Sequence, residues 1–428
     1  AENQLPSLIL VMAKNQLAAG NQTVSGKKTV SASQDLSFQT AETDPDHPLI
    51  MIDPGHGGTD EGSYAGGILE KDINMEIAKK LRECLEETIR IIRDAIDGGV
   101  NYVDTAFMYH NGQSEKILGK ALKDGYREKI LLADKMPIWF AKDEDGMRTI
   151  FEKQMTRLDT DCIDMYLIHN VDRGVWKRVQ KLNLIPYLEE LKAAGRIRHI
   201  GFSFHDSYDF FLEVLDAYDW DFCQIQLNFM DKNHQAGVKG LKAAAERGLG
   251  VVIMEPLKGG RITDAVPPTV QKIWDEAPTR RTPAEWAFKW LANMPEVTVM
   301  LSGMNAEAQL QENMKTLSDE HVGDLTQEEK DLIDRVSDEY NRLIKYSCTG
   351  CNYCMPCPQK LDIPRILRYF NDWNVYEQNP STKLEYETWI PAGRHASDCI
   401  GCKACEEKCP QHLPISQAMK EAAEAMGV

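Results

Sequence analysis

The chain has 428 residues, enough for two or three domains with a large core. Its formal net charge is −17, and this excess of carboxylates argues against a nucleic-acid or anionic-membrane partner. No apolar run approaches the ~20 residues of a membrane helix. Eight of the 11 cysteines lie in the last 85 residues and no basic leader precedes an apolar run, so the composition predicts a protein of the reducing cytoplasm.

Residues 1–47 are rich in Ser, Thr, Gln and Asn and show weak periodicity. Such a composition predicts a loose leader. The only element expected there is a short helix near Leu8–Ala18.

Residues 48–87 begin with Leu49–Asp53, an apolar run that predicts a buried strand. The loop Asp53-Pro-Gly-His56-Gly-Gly58 follows, and then Glu70-Lys-Asp before a helix. This segment resembles the start of the zinc N-acetylmuramoyl-L-alanine amidases, which implies zinc ligation by His56 and Glu70. A catalytic zinc needs three protein ligands, and the resemblance ends near Glu87 without a third. No zinc is therefore expected here, and the segment is interpreted as a truncated piece reused as scaffold.

From Thr88 onward, apolar strand patterns alternate with amphipathic helix patterns. The predicted strands are Asn101–Asp104, Ile130–Ala133, Met165–His169, His199–Phe202, Phe222–Gln226, Gly250–Met254 and Val297–Leu301. Seven such steps are one short of a (β/α)8 TIM barrel. We expect Leu49–Asp53 to fill the first strand position, followed by a long helical stretch, Lys71–Ile96.

Six short motifs follow these strands in order. They are Val103-Asp104-Thr-Ala106, Tyr109-His-Asn-Gly-Gln-Ser-Glu115, Ala133-Asp-Lys135, Tyr166-Leu-Ile-His169, Gly201-Phe-Ser203 and Leu301-Ser-Gly303-Met. Together they resemble the aldo/keto reductases from about Thr88 to Ser318, and most of all the branch with a ferredoxin-like tail. The barrel and its linker helix, predicted over Thr326–Leu343, would then occupy residues 88–343. The amidase-like segment replaces the usual first strand of that family.

The resemblance implies a catalytic tetrad of Asp104, Tyr109, Lys135 and His169. Tyr donates a proton to the carbonyl oxygen, Lys stabilises the tyrosinate, Asp holds Lys charged, and His aligns the carbonyl. Each residue also has a structural interpretation when taken alone. Asp104 could cap a helix, Tyr109 could be a surface aromatic, Lys135 could extend to solvent, and His169 could be a buried imidazole. Four such residues at successive strand ends favour the catalytic interpretation.

The same resemblance implies where NADPH or NADH would bind. Ser203 and Gln224 match the residues that hold the nicotinamide carboxamide, whereas Phe204 stands where many members have Asn. Gly303 is expected to open a helix N-terminus that binds phosphate, and Gln309 and Asn313 match positions on the adenine side. Lys258 and Arg261 are expected to supply charge to the pyrophosphate.

The tail, residues 344–428, carries two cysteine runs. These are Cys348-Thr-Gly-Cys351-Asn-Tyr-Cys354-Met-Pro-Cys357-Pro358 and Cys399-Ile-Gly-Cys402-Lys-Ala-Cys405-Glu-Glu-Lys-Cys409-Pro410. Three Cys at C-x-x-C-x-x-C spacing, followed by Cys-Pro, are typical of a 4Fe-4S site. In two-cluster ferredoxins the fourth Cys of each run ligates the other cluster. That rule assigns Cys348, Cys351, Cys354 and Cys409 to one cluster, and Cys399, Cys402, Cys405 and Cys357 to the second.

Disulfides and zinc sites are two other uses of such cysteines. Disulfides do not suit so dense a set in a chain with no secretory signal. Zinc sites use pairs of C-x-x-C and gain nothing from a third Cys or the Cys-Pro. The tail is therefore predicted to be a mainly α ferredoxin-like domain with helices at Ile363–Asn371 and Ile415–Ala425, and with a loop over Pro380–Ala392.

The sequence thus predicts an NAD(P)H-dependent oxidoreductase that reduces a small aldehyde or ketone. One alternative is a redox sensor or an electron-transfer protein that serves a partner protein with little turnover. Another is a vestigial zinc amidase fusion.

Overall fold

The structure is a computed structural model that describes residues 8–13, 64–65, 68–263, 266–318, 322–348, 354–376, 378, 380–409 and 412–427. In this part of the chain, eight strands close into a barrel. The strands are β1 Leu8–Ala13, β2 Tyr64–Ala65, β3 Ile68–Leu69, β4 Tyr102–Asp104, β5 Leu131–Met136, β6 Ile163–Val171, β7 Ile197–Phe204, β8 Phe222–Gln226, β9 Gly250–Met254 and β10 Val299–Met304. Strands β2 and β3 form a separate small hairpin.

Helices follow most of the strands, as expected for an α/β barrel. They are α1 Glu70–Asp97, α2 Ser114–Ala121, α3 Glu144–Leu158, α4 Arg173–Lys181, α5 Leu184–Ala193, α6 Tyr208–Leu215, α7 Gly237–Glu246, α8 Pro268–Trp274, α9 Pro283–Ala292, α10 Glu307–Ser318, α11 Gln327–Leu343, α12 Ile363–Val375, α13 Pro380–Trp389 and α14 Ile415–Met426. Among these described helices, none is long and apolar enough to cross a membrane.

Seven of the barrel strands run parallel, from β4 to β10 in sequence order. They coincide with the seven strands predicted from the sequence, within two or three residues at their ends, and α1 coincides with the predicted long helix. These strands read as continuous apolar runs because both of their faces are covered, one by the barrel interior and one by helices. The predicted fold class, an α/β barrel, is confirmed.

The identity of the first barrel strand was predicted incorrectly. β1, Leu8–Ala13, fills the gap between β10 and β4 and is antiparallel to both. It lies in the segment that the sequence predicted to be a loose leader with a short helix. The expected occupant, Leu49–Asp53, lies outside the described residues, as does His56. A barrel needs a partner for both of its edge strands, and the six-residue apolar run Leu8–Ala13 satisfies that need.

Apolar side chains form one layer inside the barrel and a second layer between the strands and the surrounding helices. The inner layer consists of Tyr102, Ala133, Leu167, Phe222, Val252, Val299 and Leu301. A much larger outer core joins the strands to the helices. A Cβ atom on Gly201 of β7 would lie only 2.6 Å from the ring of Phe222. Glycine at this position therefore makes room for that ring.

The tail has its own core, built from α12, α13, α14 and the buried cysteines Cys354 and Cys409. α11 connects it to the barrel and coincides with the helix predicted over Thr326–Leu343. It begins at a capping box between Thr326 and Glu329. The predicted loop over Pro380–Ala392 is wrong, because α13 occupies Pro380–Trp389. A proline in the first turn of a helix costs no hydrogen bond, so Pro380 does not prevent the helix.

Candidate functional site

Three of the four predicted catalytic side chains belong to neighbouring barrel strands. Asp104 is the last residue of β4, Lys135 is the next-to-last residue of β5, and His169 lies two residues from the end of β6. Tyr109 follows β4 in a short 3-10 turn, residues 109–112. Because parallel strands end at the same rim, the four residues meet at one mouth of the barrel.

The Lys135 ammonium is buried and forms an ion pair with the buried carboxylate of Asp104. It also donates to the backbone carbonyl of Thr105 at 2.8 Å. Burial lowers the pKa of Lys135, but Asp104 and Tyr109 more than offset that effect and raise the pKa above its usual value. Burial raises the pKa of Asp104, against the opposing effect of Lys135. Lys135 therefore keeps its proton and places a fixed positive charge beside Tyr109.

The ring of Tyr109 contacts both Lys135 and His169. Lys135 Nζ is 5.1 Å from the centroid of the Tyr109 ring, and the His169 ring meets it edge-on with 6.0 Å between centroids. The Lys135 charge has the largest single effect on the Tyr109 hydroxyl and lowers its pKa. Burial and the carboxylate of Asp104 act against it, so the pKa of Tyr109 lies above its usual value. The phenol thus holds its proton at neutral pH and can donate it.

His169 is buried and neutral. Burial, helped by the charge of Lys135 and by His205, holds the pKa of His169 well below its usual value. Its Nδ1 has no hydrogen-bond partner among the described residues. The indole of Trp139 lies 5.2 Å from the His169 ring between centroids, and the half-exposed Phe140 continues this aromatic wall. A neutral imidazole at this place can donate a hydrogen bond to a substrate oxygen without carrying charge.

Ser203 and Gln224 lie on β7 and β8, next to the mouth. The Ser203 hydroxyl accepts from the backbone N–H of Asn170 at 2.7 Å and retains its own proton for donation. Gln224 is buried, and its Oε1 has no donor among the described residues. A buried acceptor that lacks a donor fits the amide N–H of a nicotinamide carboxamide. Phe204, which follows Ser203 on β7, is fully buried in the aromatic core.

The loop after β9 carries two cations that the sequence assigned to a pyrophosphate. In the structure both are paired with carboxylates. Lys258 Nζ lies 2.8 Å from Asp231, and the Arg261 guanidinium contacts Asp372 of α12 at 2.6 Å and Glu385 of α13 at 3.2 Å. Arg261 thus ties this loop of the barrel to the tail, which the sequence did not predict.

The region after β10 differs in detail from its prediction. Gly303 lies within β10, and α10 begins four residues later at Glu307, so Gly303 does not itself open the helix. The side chain of Gln309 accepts from the backbone N–H of Asn305 at 3.0 Å. The buried Asn313 donates to the hydroxyl of Ser302 at 3.0 Å. Both predicted adenine-side residues therefore support the turn between β10 and α10.

The second predicted cysteine set lines a single cavity in the tail. Cys357, Cys399, Cys402 and Cys405 surround it together with Pro358, Ile363, Ile415 and Met419. Four thiols around a largely apolar cavity fit the shell of a 4Fe-4S cluster. Of the first set, Cys354 and Cys409 are buried in the core of the tail with Cys348 beside them. Cys351 lies outside the described residues.

Comparison with known families agrees with both halves of this description. The aldo/keto reductase family matches residues 80–338, more than half of the chain. The chain belongs to the aldo/keto reductase family. It is therefore an oxidoreductase, and its C-terminal part, residues 347–413, matches the 4Fe-4S dicluster domain.

Two relatives and one solved structure illustrate the similarity of this aldo/keto reductase to known proteins. An L-galactose dehydrogenase of Arabidopsis thaliana is 24% identical over 284 residues, covering 62% of this chain and 84% of the relative. An NADH-specific methylglyoxal reductase of Escherichia coli is 27% identical over 277 residues, covering 54% of this chain and 82% of the relative. The holo form of an aldo-keto reductase of Bacillus halodurans aligns with a TM-score of 0.50 and 25% identity, covering 59% of this chain and 87% of that one.

Several residues around the mouth of this reductase had no predicted role. Trp139 contacts His169, and its signal in the sequence is the aromatic pair Trp139-Phe140 directly after β5. Arg157 of α3 forms an ion pair with the fully buried Glu115 of α2 at 2.5 Å. Glu115 stands in the motif that carries Tyr109, but the sequence offered no way to identify its partner.

Proposed function

We propose that this aldo/keto reductase uses NADPH or NADH to reduce the carbonyl group of a small aldehyde or ketone, with Tyr109 as the general acid. The observation that carries the proposal is the buried Lys135 ammonium. It pairs with Asp104 and lies 5.1 Å from the ring of Tyr109. A fixed cation at this distance stabilises the tyrosinate that remains after proton donation.

Each of the four residues has a separate task in this proposal. When bound, the reduced nicotinamide supplies a hydride to the carbonyl carbon. The Tyr109 hydroxyl donates its proton to the carbonyl oxygen, and Lys135 stabilises the phenolate. Asp104 keeps Lys135 charged and in place. His169, which is neutral, donates a hydrogen bond that aligns the same oxygen.

The proposed cofactor site extends along the strand ends. Gln224 Oε1 accepts from the nicotinamide carboxamide, and the Ser203 hydroxyl donates to it, while Phe204 supplies no hydrogen bond. The segment from Gly303 to the start of α10 binds phosphate, and Gln309 and Asn313 hold the turn beside the adenine. Lys258 binds the pyrophosphate oxygens after its ion pair with Asp231 breaks. Each of these roles uses a polar group described above.

Small carbonyl compounds are the proposed substrates. The relatives are named for L-galactose and for methylglyoxal, and one of them is named as NADH-specific. Methylglyoxal and a series of simple aldehydes and ketones, each offered with NADPH and with NADH, form the first assay panel. Loss of the reduced-cofactor absorbance measures turnover.

Replacing Tyr109 by Phe tests the proposal. The variant lacks only the proton donor, so we expect kcat to fall by about 10²–10⁴-fold. The dissociation constant for NADPH should stay unchanged, because no proposed cofactor contact involves the phenol.

Tyr126→Phe is the matched control, since its hydroxyl bonds Asp97 on the protein surface, away from the mouth. It should keep the wild-type kcat. Equal activity of wild type and Tyr109→Phe would remove Tyr109 from the mechanism.

We further propose that the tail holds two 4Fe-4S clusters that exchange electrons with a partner protein in a reducing compartment such as the cytoplasm. The observation that favours an external partner is exposure. Cys402 is exposed, and its neighbour Ile400 is 63% exposed at the cavity lined by the second cysteine set. An apolar side chain at such an edge suits docking of another protein.

A further inference from the structure

The loop that presents Tyr109 has a costly backbone conformation. It connects β4 to α2, and directly after Tyr109 it places His110 at φ 50° and Asn111 at φ 55°. Gly112 follows at φ 80°. Left-handed conformations are unfavourable outside glycine and persist only where the surrounding structure holds them. The contacts that hold this loop therefore set the position of Tyr109.

One side chain, Arg157 of α3, contacts this loop on both sides of Tyr109. Its guanidinium donates to the backbone carbonyl of Phe107 at 3.0 Å and lies 4.5 Å from the centroid of the Phe107 ring. It also lies against Gly112, where a Cβ would be only 2.9 Å from Nη2. Gly112 thus provides the space that brings the guanidinium against the turn. Arg157 is 13% exposed, so these contacts are shielded from water.

Arg157 is itself fixed by a buried carboxyl pair. It binds Glu115 of α2 at 2.5 Å, and the neighbour of Glu115 is Asp134 of β5. Both carboxyls are fully buried, and Glu115 Oε1 and Asp134 Oδ2 have no donor among the described residues. Neighbouring carboxyl groups whose oxygens lack a donor are satisfied when they share one proton.

The same network reaches Lys135. The backbone N–H of Lys135 donates to Asp134 Oδ1 at 2.8 Å. A continuous path therefore runs from the backbone of Lys135 through Asp134, Glu115 and Arg157 to the carbonyl of Phe107, two residues before Tyr109. One end of the path is Lys135, and the other lies two residues from Tyr109. The separation of Lys135 and Tyr109 matters for proton transfer.

We propose that Arg157, held by Glu115, is a positioning residue that sets the distance between the Tyr109 hydroxyl and the Lys135 ammonium. Neither Arg157 nor Glu115 touches the substrate in this proposal, which rests on the proposed function of Tyr109. The pair acts through the loop. The planar guanidinium is suited to the task because it binds a carboxylate and a carbonyl at fixed angles.

Arg157→Met tests the proposal by removing the charge and the donors while keeping much of the apolar stem. A misplacement of about 1 Å costs roughly 100-fold in rate, so kcat should fall by that order while the dissociation constant for NADPH stays within about twofold. Lys135 lowers the pKa of Tyr109, so a phenol further from Lys135 has a higher pKa. The alkaline limb of the pH profile for reduction should therefore move to higher pH.

Arg157→Lys is the conservative variant. It retains a cation for Glu115 but has a single nitrogen, which cannot also reach Phe107 in the same geometry. Its kcat should lie between those of wild type and Arg157→Met. If Arg157→Met does not fold, this variant carries the same comparison.

Arg127→Met is the matched control. Arg127 is 22% exposed, binds the buried carboxylate of Asp164 at 2.7 Å and donates to the carbonyl of Cys162 at 2.7 Å. Asp164 lies at the start of β6, at the opposite end of the barrel from Tyr109. This variant loses a comparable ion pair and should lose stability while keeping the wild-type kcat and pH profile.

Hydrogen exchange of residues 105–113, followed by mass spectrometry, measures how rigidly the loop is held. The measurement does not depend on enzymatic turnover. Faster exchange in Arg157→Met than in Arg127→Met, together with the loss of kcat and the shifted pH limb, supports the proposal. Faster exchange with an unchanged kcat and pH profile overturns it and leaves Arg157 a purely structural residue. Wild-type exchange overturns it as well. If wild type and Tyr109→Phe turn over equally, the proposed function has failed, and the exchange data still decide whether Arg157 holds the loop.

Discussion

Burial and neighbouring charges together determine the charge state of each titratable side chain at the barrel mouth. His169 has no opposite charge beside it, so burial leaves it neutral. Lys135 is equally buried, but Asp104 and Tyr109 keep it charged. The two groups therefore differ in charge because only one of them has a carboxylate within bonding distance. A neutral donor and a permanent cation next to Tyr109 suit proton transfer at neutral pH.

Asp134 behaves differently, because its closest titratable neighbour is another carboxyl. Burial and Glu115 raise the pKa of Asp134 well above its usual value, although Lys135 lies next to it in the chain. The folded state then holds a proton at a pH where the unfolded chain has lost it. The contribution of this carboxyl to the free energy of unfolding therefore falls as pH rises above about 4, by up to roughly 1.4 kcal/mol per pH unit, until the buried pair itself ionises.

Asp134→Asn removes this dependence. The amide keeps an acceptor for the N–H of Lys135 and supplies a donor to Glu115 without a titrating proton. Relative to wild type, the variant should gain free energy of unfolding as pH is raised from about 5 to 7. Urea unfolding at several pH values measures the difference.

Asp164→Asn provides the contrast, because that buried carboxylate is held by Arg127 and Arg198. Asp164→Asn removes the partner of both Arg side chains, so this variant should be less stable than wild type. A difference between Asp134→Asn and wild type that is constant with pH would show that Asp134 and Glu115 share no proton.

At this scale the sequence predicted the four mouth residues but not their support. Asp104, Lys135 and His169 could be placed because each falls at the end of an apolar run that reads as a parallel strand. Arg157 could not, because it sits 48 residues after Tyr109 on a helix face, and only the packing of α3 against α2 brings it to the loop. Pairings of this kind depend on tertiary structure, which no local pattern encodes.

Among the elements, β1 contributes most to closing the barrel. Without it, β4 and β10 would each have one free edge with unpaired backbone N–H and C=O groups. Val11 is opposite Leu301 of β10 and Tyr102 of β4, so its backbone is flanked by strands on both sides. The surrounding Ser, Thr, Gln and Asn residues concealed this strand in the sequence, because they resemble the composition of a linker.

Val11→Pro tests the assignment of β1. Proline removes a ladder hydrogen bond and leaves a carbonyl of a neighbouring strand without its donor. The free energy of unfolding should fall by on the order of 1–3 kcal/mol, as measured by urea unfolding.

Ile50→Pro is the paired variant, because it lies in the segment that the sequence favoured as the first strand. If β1 is the first barrel strand, Ile50→Pro should lose less free energy of unfolding than Val11→Pro. The reverse result, a loss in Ile50→Pro and none in Val11→Pro, would return the first barrel position to Leu49–Asp53.

In the whole molecule, the barrel and the tail are joined by more than the connecting chain. Arg261, in the loop after β9, lies between Asp372 of α12 and Glu385 of α13. The neighbouring Lys258 is the residue proposed to reach the cofactor pyrophosphate. The tail therefore contacts the barrel through the same loop that the proposed cofactor site uses, and these ion pairs fix the loop from the tail side.

The cysteine cavity gives the tail its own prediction. Cys357 belongs to the first cysteine run by position in the chain, yet it lines the cavity with Cys399, Cys402 and Cys405 of the second run. If this set holds one cluster, Cys357→Ser and Cys405→Ser should lose the same cluster, while Cys354→Ser loses the other. Each variant should retain about four iron atoms per chain, against about eight in wild type.

Electron paramagnetic resonance of the reduced proteins distinguishes the two clusters, and iron analysis counts them. Cys162→Ser, at a half-buried thiol in the barrel, is the control and should keep the full iron content. If Cys357→Ser instead leaves the same residual signal as Cys354→Ser, each run holds its own cluster and the crossed assignment is wrong. Wild-type protein with about four iron atoms would mean that only one set is occupied. The cavity predicts that this set is the one containing Cys357, so Cys357→Ser would then lose all iron, whereas Cys354→Ser would lose none.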